Sequence, residues 1–152
     1  MKKNFIIALG ILLFLNTNLS EAAVSCGIGS SGLFFGTINP LSQAEVASVA
    51  TINLSCSGGP LTYTIKLTQG NGTILQRLMK SGSNVLKYNL YTSNSYSTIL
   101  GDGTAGSLAI DGQSITDTTD ATYFVFGKVS NIGLSSTEAG TYTDNISVTI
   151  IY

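Results

Sequence analysis

The sequence GTYTDNISVTIIY, residues 140–152, decides the fold, because apolar and polar side chains alternate along it up to the last residue. Alternation with a period of two predicts a β-strand with one buried face. Nothing follows it that could turn back and pair with its far edge, so we expect its last neighbour to come from elsewhere in the fold or from another molecule. An exposed apolar edge promotes association unless charge, proline or closure prevents it.

The N-terminal residues predict a secretory signal peptide. Met1, Lys2 and Lys3 precede the apolar residues 5–15, which are too few to span a bilayer. Small residues at Ser20 and Ala22 favour cleavage after Ala22. We therefore expect a signal peptide over residues 1–22, a mature domain over residues 23–152, and no membrane span in the mature chain.

Length and charge restrict the mature chain to one small, nearly neutral domain. About 130 residues form a single core that buries roughly two thirds of the unfolded surface. Beyond residue 22 there are five basic and seven acidic residues, a net charge of −2. The basic residues are scattered, so no footprint for nucleic acid or anionic lipid is predicted.

The cysteines, Cys26 and Cys56, indicate a disulfide. Thiols of an exported chain oxidise, and one disulfide is the default interpretation of two cysteines. The competing interpretation is a lipid-modified Cys26, because residues 23–26 faintly resemble a lipobox. Ala23 replaces the usual larger apolar residue, and Glu21 lies close to the cleavage site, which argues against lipidation.

The rest of the chain predicts an all-β fold. Serine, threonine, asparagine and glycine dominate, and no helical apolar stripe follows the signal peptide. Six or seven short strands of this spacing suggest an immunoglobulin-like β-sandwich. The strands are predicted at residues 34–38, 50–56, 61–67, 85–91, 123–129 and 140–152, with a short segment at residues 74–79 and one more short strand around residues 108–110.

The chain lacks the residues of common catalytic sites. There is no histidine, which excludes a Ser-His-Asp or Cys-His system and removes the commonest transition-metal ligand. Asp111, Asp117 and Asp120 are close in sequence, but they fit acidic turns better than a glycosidase pair or a calcium loop. Tyrosines on several strands suggest either an adhesive surface or, more commonly, core packing. We predict no enzyme activity and no catalytic, cofactor or metal site.

Several short fragments occur in the order of a known family. The fragments are residues 35–37, 51–57, 77–79, 86–91, 100–103, 123–127 and 139–144. Together they resemble the spore coat protein U domain, the pilin domain of archaic chaperone/usher pili of Gram-negative bacteria. One departure is Leu100, where the family typically has tryptophan.

The resemblance implies an incomplete sandwich that lacks its final strand. A periplasmic pilus chaperone would supply a strand, a neighbouring pilus subunit would replace it, and an outer-membrane usher would assemble the fibre at the cell surface. Binding by β-strand addition combines main-chain hydrogen bonds with pockets for alternate side chains. On this interpretation the terminal strand forms the groove floor and the first strand the opposite wall. The groove residues are then Ile146, Val148, Ile150 and Tyr152 for the floor, and Phe35 and Ile38 for the wall.

The resemblance also implies a special position in the fibre. Donor segments of the family precede the first cysteine, and here only Ala23, Val24 and Ser25 do so in the expected mature chain. A donor strand needs about ten residues at roughly 3.3 Å each. We therefore expect a subunit that accepts a strand but does not donate one, which places it at the distal tip.

A second hypothesis is a self-contained secreted β-sandwich that binds carbohydrate or coats a surface. It predicts that the mature chain folds alone into a stable monomer with a cooperative unfolding transition. An incomplete sandwich would instead aggregate or be degraded when it is expressed without a partner.

Overall fold

The chain forms antiparallel β-strands. The computed structural model describes residues 23–41, 44–58, 60–115, 119–130 and 137–152. The described strands are β1 Ser25–Ser30, β2 Val46–Ser57, β3 Leu61–Leu67, β4 Arg77–Ser81, β5 Asn84–Tyr91, β6 Ile110–Ile115, β7 Thr119–Val129 and β8 Val148–Ile151. The all-β prediction is confirmed.

These strands form two sheets. The larger sheet has the order β1-β2-β7-β5-β4, and the smaller has the order β6-β3-β8. All strand pairs within them are antiparallel. Within the described residues, β8 lies at an edge of the smaller sheet, where β3 is its strand neighbour.

Alternating side chains explain the long central strands. In β2, Ile52, Leu54 and Cys56 are buried, while Asn53 and Ser55 between them are exposed. In β3, Tyr63, Ile65 and Leu67 are likewise buried. Because successive residues of a strand point to opposite faces, this pattern fixes which face of each sheet meets the core.

The core lies between the two sheets. Among its most deeply buried side chains are Ile52 and Val129 from the larger sheet and Ile65 from the smaller. Leu100 is also buried, at 1% exposure, although no strand contains it. Leu100 is therefore a core residue at the position where the family named in the sequence analysis typically has tryptophan.

The prediction of a strand at residues 34–38 is wrong. These residues belong to no strand, and the first strand is instead β1, which precedes them. Gly32 and Gly36 have φ values of 72° and 68°, in the left-handed region that interrupts a regular strand. Leu33 and Phe35, which lie between these bends, pack against the core.

The last predicted strand is shorter than its sequence pattern. Only Val148–Ile151 pairs continuously with β3, whereas Thr143 pairs with Lys80 of β4. The terminal segment therefore crosses from one sheet to the other. The short strand expected around residues 108–110 is found slightly later in the chain. β6 begins at Ile110, and Leu108 makes only an isolated bridge to Leu100.

A disulfide joins the first two strands, as the sequence suggested. Cys26 and Cys56 are directly opposite in the β1–β2 register, with Cα atoms 4.1 Å apart. The bond spans a sequence separation of 30 residues and holds the edge strand β1 to the larger sheet.

Removing this bond should destabilise the domain. Replacing both Cys26 and Cys56 by alanine is expected to lower the free energy of unfolding by roughly 3 kcal/mol, the loop-closure value for a loop of this size. Urea unfolding of the mature protein measures the difference, with reduced wild-type protein as the matched control. Equal stability of the oxidised and reduced proteins would contradict the expectation.

Candidate functional site: an apolar cleft between the sheets

An apolar cleft of about 400 Å³ opens between the two sheets. It lies between the terminal segment on one side and residues 30–35 on the other. Its interior is formed by core side chains of both sheets. They include Ile52, Met79, Leu90 and Val125 from the larger sheet and Leu67 from the smaller.

The terminal segment contributes one wall of this cleft. Ile146 and Val148 line the cleft, and Ile150 packs against the core farther along. The residues between them are exposed, so the alternation seen in the sequence is present in the structure. Tyr152 is 57% exposed and does not line the cleft.

Residues 30–35 contribute the other wall. Phe35 lines the cleft and packs edge-on against Tyr88, with ring centroids 5.9 Å apart. Ile38 packs against the core but does not line the cleft. The structure thus brings Phe35, Ile146 and Val148 together. Leu33 also lines this wall, although the sequence analysis did not select it.

Gly127 makes room for this wall. A Cβ atom at Gly127 would lie 2.3 Å from Cδ2 of Leu33 and 2.9 Å from Cζ of Phe35. Both distances are well inside van der Waals contact, so the glycine in β7 makes room for the side-chain ends of Leu33 and Phe35.

Neither wall has a complete set of backbone partners among the described residues. Residues 33–38 belong to no strand, and none of their backbone groups forms a hydrogen bond there. Strand β8 pairs with β3 along one margin, while its other margin is an edge of the sheet among the described residues. On each side of the cleft there are therefore backbone groups without a backbone partner in the described part of the chain.

A polar network closes one end of the cleft. Asp144 accepts hydrogen bonds from the backbone N and Nδ2 of Asn71, both at 2.9 Å, and from the hydroxyl of Tyr88 at 2.8 Å. Burial and the bond to Asp144 raise the pKa of Tyr88, so its hydroxyl remains a neutral donor.

Arg77 lies fully buried behind this network. Its guanidinium donates to the carbonyl of Thr68 and, at 2.6 Å, to Oδ1 of Asn89. Burial lowers the pKa of Arg77, and Tyr88, Asp144 and Asp102 oppose that shift. The sequence analysis missed these residues as a group, although Arg77 and Asp144 both lie in the fragments that resemble the family.

The tyrosines do not gather on one surface. Tyr88 is buried, and Tyr123 and Tyr142 pack against the core. Tyr91 and Tyr96 instead contact each other, with ring centroids 5.4 Å apart, and Nζ of Lys128 lies 4.9 Å from the centre of the Tyr96 ring.

Two of the three acidic residues considered for catalysis lie within the described part of the chain. Asp111 and Asp120 are exposed, and Asp117 lies outside the described residues. The described part of the chain contains no cluster of three or more side chains suited to hold a metal ion. It also contains no helix with the length and apolar character needed to cross a bilayer.

Comparison with known proteins identifies a family. The family model for the Spore Coat Protein U domain matches residues 13–149, which includes part of the predicted signal peptide. Among curated proteins, none matches the chain.

Two solved structures share the fold. One is the CsuC-CsuE chaperone-tip adhesion subunit pre-assembly complex from archaic chaperone-usher Csu pili of Acinetobacter baumannii. The TM-score is 0.59 and the identity 24%, over 86% of this chain but only 40% of that one. The other is a chaperone-usher pilus structure concerned with rod uncoiling, with a TM-score of 0.52 and 14% identity over 99% of both chains.

The packing at Gly127 can be tested directly. Replacing Gly127 by valine should displace Leu33 and Phe35 and lower the free energy of unfolding by roughly 1–3 kcal/mol, as overpacking does. Gly29→Val is the matched control, because no atom lies within 4 Å of a Cβ at Gly29. Urea unfolding compares the two variants with wild type. Equal stability of Gly127→Val and Gly29→Val would contradict the expectation that Leu33 and Phe35 are tightly packed over Gly127.

Proposed function

This chain belongs to the Spore Coat Protein U domain family, and we propose that it is a structural subunit of a chaperone/usher-assembled pilus. In this proposal the cleft between the sheets accepts a β-strand from another protein. The partners are a periplasmic pilus chaperone, an outer-membrane usher and other pilus subunits. The chain is exported through the periplasm and functions in a pilus at the cell surface.

The observation that carries the proposal is the pair of unpaired margins beside an apolar cleft. Residues 33–38 form no backbone hydrogen bond within the described chain, and β8 is a sheet edge there. An added strand between them would pair with backbone groups on either side. Its alternate side chains would point between the sheets, towards Ile146 and Val148.

The free energy gained by adding a strand is large compared with the free energy of unfolding of a domain. Each apolar side chain that becomes fully buried contributes roughly 1.5–3 kcal/mol before entropy is subtracted. A domain of this kind is typically stable by only about 5–15 kcal/mol. Two or three well-seated side chains are therefore enough to decide whether the chain persists as a folded monomer.

The structural neighbours support this assignment at the level of fold. The Acinetobacter complex contains a chaperone with a tip adhesion subunit, and the second structure is a pilus. Because this chain covers only 40% of the first matched chain, the partners of that complete protein are transferred here as a proposal.

We further propose that the subunit accepts a strand without donating one. Strand β1 begins at Ser25 and is committed to pairing with β2. If cleavage follows Ala22, only Ala23 and Val24 precede that strand, whereas a donor needs about ten residues. A subunit of this kind fits at the distal tip of the fibre.

A strand supplied in cis tests the accepting groove. We define the test strand as about ten residues in which valine alternates with threonine, joined after Tyr152 through an Asn-Gly hairpin turn. Pairing with the free margin of β8 should raise the melting temperature by roughly 10 °C, because about 2–3 kcal/mol corresponds to such a shift in a domain of this size.

The control carries a polar strand with serine in place of each valine. Differential scanning calorimetry of both fusions and of the unmodified mature chain provides the comparison. If the valine strand stabilises no more than the serine strand, the groove does not accept a strand. The self-contained sandwich would then be the better interpretation.

A second experiment tests the non-donor claim. The mature chain is purified from the periplasm, its N-terminus is determined by mass spectrometry, and polymerisation is followed by electron microscopy. We expect an N-terminus at Ala23 and no fibres from this subunit alone. Self-assembly into fibres would overturn the non-donor claim. The strand-accepting groove would still be tested separately, by the calorimetry of the fused strand.

A further inference from the structure

The terminal segment changes sheets beside the cleft. The backbone groups of Thr143 and Lys80 bond each other in both directions, at 2.8 and 3.0 Å, which attaches the segment to β4 of the larger sheet. Farther on, the carbonyl of Ser147 accepts from the backbone N of Thr68, and β8 then pairs with β3 of the smaller sheet. Residues 144–146 therefore cross from one sheet to the other.

Asp144 is the first residue of this crossing and has an unusually complete set of donors. Its Oδ1 accepts from the backbone N and Nδ2 of Asn71 and from the backbone N of Asn145, and its Oδ2 accepts from the Tyr88 hydroxyl. These donors come from the loop after β3, from β5 and from the terminal segment itself. One carboxylate thus connects three separate parts of the chain.

The opposing loop is shaped to receive this carboxylate. Gly70 has a φ of 64°, and a Cβ atom there would overlap both carboxylate oxygens of Asp144. A side chain at position 70 would therefore push the loop away. Hydrogen bonds to a charged acceptor are stronger than neutral ones, so the arrangement favours a single position for Asp144.

We propose that Asp144 is a positioning residue, which fixes the sheet crossing so that Ile146 and Val148 form the cleft wall before a strand arrives. This inference rests on the proposed strand-accepting function. Fixing the wall in advance removes part of the ordering cost of binding, so the incoming strand binds more tightly to a groove that already has its final shape.

The test uses the valine strand as a separate synthetic peptide, with lysines added at both ends for solubility. Fluorescence anisotropy gives its dissociation constant and association rate for the mature chain. Asp144→Ala removes all of the acceptors, and Tyr88→Phe removes one donor while leaving the ring. We expect at least about tenfold weaker binding for Asp144→Ala and a smaller loss for Tyr88→Phe, because charge-assisted hydrogen bonds are lost.

The matched control is Asp102→Asn. The Asp102 carboxylate lines the same polar opening as Asp144, but its hydrogen bonds go to Thr104 and not to the terminal segment. This variant should bind the peptide as wild type does. Asp144→Asn, which keeps the side-chain volume, serves as a milder variant if Asp144→Ala does not fold. It should bind several-fold more weakly than Asp102→Asn.

A second measurement separates positioning from general stabilisation. Affinities are compared at a temperature where near-ultraviolet circular dichroism shows each variant to be folded, and amide exchange is measured over residues 145–151. Positioning predicts weaker binding together with faster exchange in these residues, whereas a purely structural role lowers the melting temperature and leaves the affinity of the folded protein unchanged.

The outcomes distinguish this inference from the function on which it rests. One outcome is that the wild-type chain and the folded Asp144 variants bind the peptide equally well. In that case Asp144 has no positioning role, and the proposed strand-accepting groove is still supported. If the wild-type chain does not bind the peptide and the fused strand does not stabilise it, the proposed function fails, and the positioning role fails with it.

Discussion

The fold depends on two antiparallel sheets that pack their apolar faces against each other around one interior. These sheets bury Ile52, Ile65 and Val129 almost completely, but in the described part of the chain a cleft between residues 30–35 and the terminal segment remains accessible. Apolar surface exposed in this way costs free energy in proportion to its area. The backbone of residues 33–38 and the outer edge of β8 have no backbone partner among the described residues, and the proposed strand binding is based on these two margins.

Two different kinds of interaction keep the two walls of the cleft in position. On the N-terminal wall the contacts are apolar, since Leu33 and Phe35 reach the core over Gly127. On the terminal wall a charged group dominates, because Asp144 binds the loop after β3 and the hydroxyl of Tyr88. The apolar wall can move without leaving a buried polar group unpaired, whereas the terminal wall cannot.

The sequence predicted the parts of the fold that rest on local alternation. β2, β3, β5 and β7 were all located from apolar periodicity, which a strand with one buried face imposes on its own residues. β1 was missed because its apolar pattern is broken by Gly27 and Gly29, and residues 34–38 were taken for a strand because apolar side chains conceal the bends at Gly32 and Gly36.

The residues of the cleft were harder to predict from the sequence than the strands. Phe35, Ile146 and Val148 lie together around the cleft, but Tyr152 does not, because alternation specifies a face of a strand without specifying where the neighbouring sheet ends. The role of Asp144 depends on Asn71, which is 73 positions away, and on Tyr88. No local pattern encodes such distant donors.

Amide hydrogen exchange, followed by mass spectrometry, tests the central claim most directly. The mature chain is compared with the same chain carrying a strand in the cleft. The account predicts that amides of residues 33–38 exchange rapidly in the chain alone and become protected when the strand is present, and that residues 145–151 gain protection beyond that given by pairing with β3, while β2 and β7 change little. Protection of both margins in the chain alone, at the level of β2 and β7, would contradict the account, because the fold would then have closed its own interior.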